Sequence, residues 1–185
     1  MLNRPIQLLT RLATGKNILI CLGLFIAFNA VIFPLAGARI QALSGGVGPL
    51  DLQFSYTPEI AYEMLAAYGE GRTFYVLIEM TADVVYPVAY SLLFGLLITY
   101  LFQRGFPGNA ALQRLALLPF GAMLADYLGN AGIVTLLLSY PSQLTALAQA
   151  TSFFTTAKWT LVGATLALAV VGLAGWAVRK VTSKP

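Results

Sequence analysis

The sequence contains no histidine, a single cysteine and few charged residues, which make up 10% of its 185 residues. The lack of histidine excludes bis-histidine haem, histidine-ligated zinc and nucleophiles activated by histidine. Cys21 alone can form neither an intrachain disulfide nor a CxxC redox pair, and its apolar surroundings favour a small core residue. A phosphate-binding GxxxxGK[ST] loop is also missing. We therefore predict no cofactor and no metal site, which leaves any chemistry to carboxyl, Tyr, Asn, Lys and Arg side chains.

Apolar residues are abundant instead: 58% of the chain is hydrophobic and the mean hydropathy is +0.78. Soluble domains have about 45–50% apolar and about 25% charged residues. Four apolar segments, at about 17–36, 74–102, 115–138 and 155–178, are each long enough to cross a bilayer as a helix. The sequence predicts an all-α integral membrane protein, with residues 1–185 forming one four-helix bundle.

The basic residues indicate how the chain is oriented in the membrane. One set of segment ends carries Arg4, Arg11, Lys16, Arg104, Arg114, Arg179, Lys180 and Lys184, whereas only Arg39, Arg72 and Lys158 fall on or near the other side. The positive-inside rule then places both termini and the 103–114 loop in the cytoplasm, with the protein in the inner (plasma) membrane. Because these residues flank apolar runs and form no patch, the net charge of +4 does not indicate nucleic-acid binding.

The end of the first apolar segment has a competing interpretation. Ala36-Gly37-Ala38 resembles a signal-peptidase site. The apolar run before it is longer than the 7–15 residues usual in a signal peptide. We therefore expect the first span to be retained, and the intact mass decides whether cleavage follows Ala38.

The 37–73 loop is the only sizeable segment predicted outside the spans. Thr57-Pro58-Glu59 is typical of a helix start, with a hydroxyl cap, a first-turn proline and an acid near the positive dipole end. Apolar residues follow at helical spacing up to Tyr68, and Gly69 ends the pattern. We predict a short amphipathic helix on the outer surface of the bundle; the alternative is a lid over a cavity between the spans.

The second span carries a polar stripe. Glu79, Asp83, Tyr86 and Tyr90 are spaced by four, three and four residues, so all lie within about 60° of one another around a helix. Pro87 lies beside the stripe and is expected to leave the carbonyl group of Asp83 without its helical partner.

The other spans contribute polar residues at a similar predicted depth. Asp126 and Asn130 share one face of the third span, the first span carries Asn29, and the fourth carries Lys158. At a rise of about 1.5 Å per residue, the outer half of the bilayer contains Asn29, Asp83, Asn130 and Lys158. Asp126 lies about one turn deeper. Ionisable groups in a bilayer cost at least about 2.5–3.5 kcal/mol each, so they face inward and find partners. We predict a polar cluster inside the bundle that opens outward.

Two interpretations of this cluster remain open. Lys158 could pair with Asp83 or Asp126 only to hold helices together, or the cluster could line a ligand pocket. The acids exceed the cations, so an unpaired carboxyl group should be protonated or bind a cation, with Arg72 a candidate partner for Glu79 or Asp51. Two pairs of small residues, Gly121 with Ala125 and Gly163 with Ala167, predict close helix contacts.

Several short motifs occur in a distinctive order. They are Leu50-Asp51-Leu52-Gln53-Phe54, Gly69-Glu70-Gly71-Arg72 with Tyr75, Asp83-Val84-Val85-Tyr86-Pro87 with Tyr90, Asp126 with Asn130, and Lys158. Over most of its length the chain resembles small bacterial four-span membrane proteins with no assigned activity, and this resemblance implies no particular reaction. The sterol-isomerase-like four-span fold also has carboxyl groups within the membrane, but its catalytic members use a histidine that is absent here.

The leading functional hypothesis is a non-enzymatic bundle whose outward-facing pocket binds a small amphiphile, a lipid headgroup or a cation. The candidate ligand-binding residues are Asn29, Glu79, Asp83, Tyr86, Tyr90, Asp126, Asn130 and Lys158. One alternative is an enzyme that modifies a lipid or isoprenoid by carboxylate acid–base chemistry, although we assign no catalytic residue. Another is an assembly subunit with structural polar residues. The expected partners are membrane lipids, a small amphiphile, and either further copies of the chain or another membrane subunit.

Overall fold

The computed structural model describes residues 3–182 and contains no β-strand in that range. Its helices are α1 (Asn3–Leu12), α2 (Gly15–Leu43), α3 (Pro58–Ala67), α4 (Gly71–Gly105), α5 (Ala110–Ser139) and α6 (Thr145–Thr182). Over these residues, α2, α4, α5 and α6 are long and apolar enough to cross a membrane. The predicted all-α fold with four spans is confirmed, while Lys184, one of the predicted flanking cations, lies outside the described residues.

Helix α4 is central in the bundle and α2 is peripheral. Helices α4, α5 and α6 pack against one another, whereas α2 contacts mainly α4. Only 6% of the most apolar stretch of α2 is buried, against 56% of that of α4. The spanning helices also continue beyond the apolar segments that predicted them. In α2, for example, backbone hydrogen bonding carries the helix past Arg39 and Gln41 to Leu43.

Small residues allow α5 and α6 to approach closely, but not at every predicted position. A Cβ atom added to Gly132 would lie 2.9 Å from Cγ2 of Thr151, so this contact depends on glycine. At Gly163, by contrast, an added Cβ meets nothing within 4 Å, and at Gly121 it makes only an ordinary contact with Leu161. The prediction for Gly163 is therefore wrong, because that residue faces away from the neighbouring helices.

Helix α4 is interrupted at Thr81, which separates Gly71–Met80 from Ala82–Gly105. Thr81 has φ −124° and ψ −81°, outside the helical region. The interruption lies between Glu79 and Asp83, the two acids of the predicted stripe. No glycine or proline occupies the position, so the sequence contains no signal that would have predicted the break.

Six residues further along α4, Pro87 leaves carbonyl groups to be satisfied by α5. The Nδ2 of Asn130 donates to the carbonyl oxygen of Asp83 at 3.4 Å. The hydroxyl group of Tyr127 donates to the next carbonyl, that of Val84, at 2.7 Å. The expectation that Pro87 frees the Asp83 carbonyl is confirmed, and the freed group serves as a contact between helices.

The 37–73 loop folds onto the bundle and contains the predicted amphipathic helix as α3. The side chain of Thr57 accepts a hydrogen bond from the backbone N–H of Ile60 at 3.4 Å, as expected for an N-cap. The apolar face of α3 is buried in a cluster that includes Ile133, Leu136 and Ala148. Just before α3, burial raises the pKa of Tyr56 to about 12, so this residue remains a neutral phenol.

Helix α2 contains one wide turn. Phe28–Ile32 forms a single π-helical segment, a feature found frequently at functional sites, and Pro34 follows it. The segment contains Asn29, the polar residue predicted for this span. The Ala36–Ala38 motif lies further along the same helix.

Candidate ligand-binding cavity

A cavity of about 640 Å³ lies between α2, α4, α6 and the loop before α3. The predicted site residues that line it are Asn29, Glu79, Asp83, Tyr86, Tyr90, Asp126 and Lys158. Asn130 is not among the lining residues; it is buried and donates to the Asp83 carbonyl as described above. Seven of the eight residues predicted from the sequence therefore lie around one cavity, and Asn130 contacts the backbone of Asp83.

Lys158 is the only cationic side chain among the lining residues, and two carboxylates surround it. Its Nζ lies 3.2 Å from Oδ1 of Asp126 and 3.7 Å from Oδ2 of Asp51. The hydroxyl group of Tyr90 donates to the other oxygen of Asp126 at 3.2 Å. Of the two partners expected from the sequence, the structure selects Asp126 rather than Asp83.

Asp51 was not predicted as a site residue, and it comes from the loop rather than from a span. The hydroxyl group of Tyr75 donates to its Oδ1 at 2.7 Å, and the indole Nε1–H of Trp159 donates to its backbone carbonyl at 3.0 Å. Leu50, the preceding residue, is fully buried and anchors the turn. The sequence feature that could have indicated Asp51 is an acid between two apolar residues, Leu50-Asp51-Leu52. Because a loop has no regular periodicity, this feature does not predict the direction of the Asp51 side chain.

Asp51 also bears on the two interpretations of the 37–73 loop. Pro49, Asp51 and Leu52 line the cavity, whereas no residue of α3 does. The amphipathic helix therefore packs on the bundle as predicted, and it is the short turn before it that covers the cavity.

Three carboxyl groups meet at the end of the cavity that is nearest the 37–73 loop. One oxygen from each of Asp51, Glu79 and Asp83 lies within 4.8 Å of the other two, and these are the residues that could hold a metal ion. Glu79 is 2% exposed, and its Oε2 has no hydrogen-bond partner among residues 3–182. Arg72, the partner suggested by the sequence, instead donates to the Leu65 carbonyl at 2.9 Å and stacks on Tyr140. We refer to Asp51, Glu79 and Asp83 as the acid triad.

Aromatic side chains from α2 and α4 pack together along one wall of the cavity. The ring of Tyr86 packs against Phe25, Phe33 and Tyr90, with centroids 5.9, 4.8 and 5.3 Å away. Asn29 Nδ2 donates to the hydroxyl group of Tyr86 at 3.1 Å. The π-helical turn of α2 thus supplies the polar partner that orients Tyr86.

The cavity is chemically asymmetric. Its charged lining consists of four carboxyl groups (the acid triad and Asp126) and one amine, that of Lys158. The remainder is mostly aromatic and aliphatic, with Phe94, Val162 and Leu166 extending it away from the acids. Thr165 also lines this part, and its buried hydroxyl group has no hydrogen-bond partner within the described chain. Such a lining suits a molecule that has a small polar group and an apolar body.

Comparison of the chain with known protein families, with curated proteins and with solved structures gives no match.

Proposed function

We propose that this multi-pass membrane protein binds a small amphiphile in the cavity between α2, α4 and α6. The observation that carries the proposal is the asymmetric lining, in which the acid triad and the apolar wall adjoin one continuous space. Ligand pockets usually combine a mostly apolar lining with a few convergent polar groups, in volumes of about 300–1,000 Å³. The cavity of about 640 Å³ falls within that range and exceeds the volume that a bare ion would need.

The proposal includes an orientation in which the acid triad faces the outer side of the inner membrane. Arg11 and Lys16 near the start of α2, Arg104 at the end of α4, and Arg179 in the last turn of α6 share the opposite side of the bundle. Cytoplasmic ends carry the excess of Lys and Arg. The ligand would then enter from the outer leaflet or from the space outside it.

Native mass spectrometry of gently extracted protein tests the proposal. We expect the wild-type chain to retain a small molecule that is lost in Asp83→Asn, which removes charge, and in Val162→Trp, which narrows the apolar part. Glu63→Gln is the matched control, because Glu63 is exposed on α3 outside this cavity. Equal retention in all four proteins, or no retained molecule in the wild type together with no saturable binding of added amphiphiles, overturns the proposal.

A second candidate is acid–base catalysis on a lipid or isoprenoid. It is favoured by the different surroundings of two carboxyl groups: Asp126 forms an ion pair with Lys158, whereas Glu79 has no ion-pair partner among residues 3–182. Two carboxyl groups in unlike environments suit an acid and a base. This candidate predicts that the molecule recovered from the wild type differs covalently from the one recovered from Asp126→Asn. Identical molecules favour binding alone.

A further inference from the structure

We propose that the polar group of the bound amphiphile is a protonated primary amine, held by Asp51, Glu79 and Asp83. This inference rests on the proposed function and specifies its ligand.

The charges within the cavity favour a cationic ligand. Four carboxyl groups face a single amine, and Lys158 is committed to Asp126 at 3.2 Å and to Oδ2 of Asp51 at 3.7 Å. Glu79 and Asp83 have no ion-pair partner among the described residues. A buried carboxylate is costly unless a cation or hydrogen-bond donors compensate it.

The unpartnered oxygen of Glu79 marks a position that can accept a donor from a ligand. Glu79 is only 2% exposed, and it lines the cavity. One oxygen of its carboxyl group lies within 4.8 Å of an oxygen of each of the other two acids. Its Oε2 accepts no hydrogen bond from residues 3–182. The position therefore offers an acceptor to a donor that the protein itself does not supply.

The distances between the carboxyl oxygens of the acid triad allow it to hold an ammonium group. The three oxygens lie within 4.8 Å of one another, so a nitrogen atom placed between them can come within about 2.8 Å of each, a distance suited to a charge-assisted N–H···O bond. A primary ammonium group carries three donors, one for each carboxyl group, whereas a quaternary ammonium group carries none.

The rest of the cavity favours an organic amine over a metal ion. The rings of Tyr86 and Tyr90 line the cavity beside the acids, and aromatic faces attract cations. An apolar body attached to the amine would fill the space next to Phe94, Val162 and Leu166.

Binding of three probes with the same alkyl chain tests the inference: decylamine, decanol and decanoate. Trp159 lines the cavity, so its fluorescence in a Trp176→Phe background reports on binding in nanodiscs of neutral lipid. We expect decylamine to bind at least about tenfold more tightly than decanol, and decanoate most weakly, because a hydrogen bond between charged groups is stronger than one that involves a neutral hydroxyl group. In Glu79→Gln and Asp83→Asn the preference for decylamine should fall to within about threefold, and in Glu63→Gln it should be unchanged.

The outcomes separate the inference from the proposed function. Saturable binding of decylamine and decanol with equal affinity overturns the amine assignment but leaves amphiphile binding intact, and so does tighter binding of decanoate. Absence of saturable binding by all three probes overturns both. Binding of Mg²⁺ or Ca²⁺ alone that is lost in Glu79→Gln and is not displaced by decylamine replaces the amine with a metal ion. If Glu79→Gln does not fold, Asp83→Asn and Glu79→Asp provide the same comparison, with thermal unfolding as the folding check.

Discussion

Lys158 of α6 and Asp51 of the outer loop are joined by a contact of 3.7 Å between Nζ and Oδ2. The same amine lies 3.2 Å from Asp126 of α5. One side chain therefore connects two spanning helices and the turn that covers the cavity. This arrangement makes Lys158 an internal counter-ion as well as part of the cavity lining.

Replacing Lys158 with methionine should strongly destabilise the protein. The substitution keeps most of the length of the side chain but leaves the buried carboxyl group of Asp126 and the partly buried one of Asp51 without their cation. Breaking one side of a buried ion pair costs about 3–5 kcal/mol. We expect that loss in the free energy of unfolding, measured by denaturant titration in detergent.

Two comparisons show whether this loss comes from the ion pair. Lys180→Met, at the exposed end of α6, should change the stability by no more than about 0.5 kcal/mol. Adding Asp126→Leu to Lys158→Met should recover part of the loss, because an apolar pair can replace a buried ion pair. A Lys158→Met protein as stable as the wild type would show that the pair contributes nothing to folding.

Tyr75→Phe should loosen the turn that carries Asp51. The hydroxyl group of Tyr75 donates to Oδ1 of Asp51 at 2.7 Å and accepts from its backbone N–H at 3.2 Å. Removing it leaves buried polar groups unsatisfied, at a cost of about 1–3 kcal/mol. Amide hydrogen exchange should become faster in residues 50–53 and remain unchanged in α5.

The control for this substitution is Tyr100→Phe, because Tyr100 lies near the opposite end of α4 and packs against Trp176. It should leave exchange in the turn unaffected. Equal exchange in wild type and Tyr75→Phe would mean that Leu50 and Trp159 hold the turn without this bond.

Helical periodicity predicted the part of the site that lies on regular helices. Glu79, Asp83, Tyr86 and Tyr90 follow spacings of three and four residues, and all four line the cavity despite the interruption at Thr81. A backbone that repeats every 3.6 residues fixes the direction of its side chains to within a fraction of a turn. This is why hydropathy and spacing sufficed for the second span.

The remaining parts depend on tertiary contacts that periodicity does not encode. Asp51 lies in a turn whose direction is set by the burial of Leu50 and by a bond from Trp159. Asn130 shares a predicted helix face with Asp126, yet it bonds to the carbonyl group that Pro87 leaves free. Whether Asn130 faces the cavity or that carbonyl group depends on how α4 packs against α5. The sequence pattern of a single helix does not contain this information.

The bond from Asn130 to Asp83 should be coupled energetically to Pro87. In the wild type, Asn130→Ala removes the donor to the Asp83 carbonyl and should cost about 1 kcal/mol. In a Pro87→Ala background, the N–H of residue 87 can donate to that carbonyl itself. The loss caused by Asn130→Ala should then shrink by at least about 0.5 kcal/mol, measured as a double-mutant cycle on unfolding.

Thr135→Ala serves as the comparison for this cycle. Thr135 lies on the same helix, and its hydroxyl group bonds only within that helix, to the Ala131 carbonyl. Its effect should add to that of Pro87→Ala without coupling. If the effects of Asn130→Ala and Pro87→Ala also add simply, the bond is not a response to the proline.

Gly132→Ala should weaken the packing of α5 on α6, whereas Gly163→Ala should not. At position 132 the new Cβ would overlap the side chain of Thr151, including Cγ2 at 2.9 Å. Overpacking of this kind typically costs about 1–3 kcal/mol, more than the gain of up to about 1 kcal/mol from replacing glycine within a helix. At Gly163 nothing lies within 4 Å, so only the gain remains and the stability should stay equal or rise.

A second substitution locates the cause of this loss. Thr151→Ala removes the Oγ1 and Cγ2 atoms that the new methyl group would meet, so it should restore part of the stability lost in Gly132→Ala. Thermal unfolding in the same detergent compares the wild type, Gly132→Ala, Gly163→Ala and the double variant Gly132→Ala/Thr151→Ala. A Gly132→Ala protein that unfolds at the wild-type temperature would mean that α5 and α6 are further apart than the structure places them. A loss that Thr151→Ala does not relieve would place the conflict elsewhere on α6.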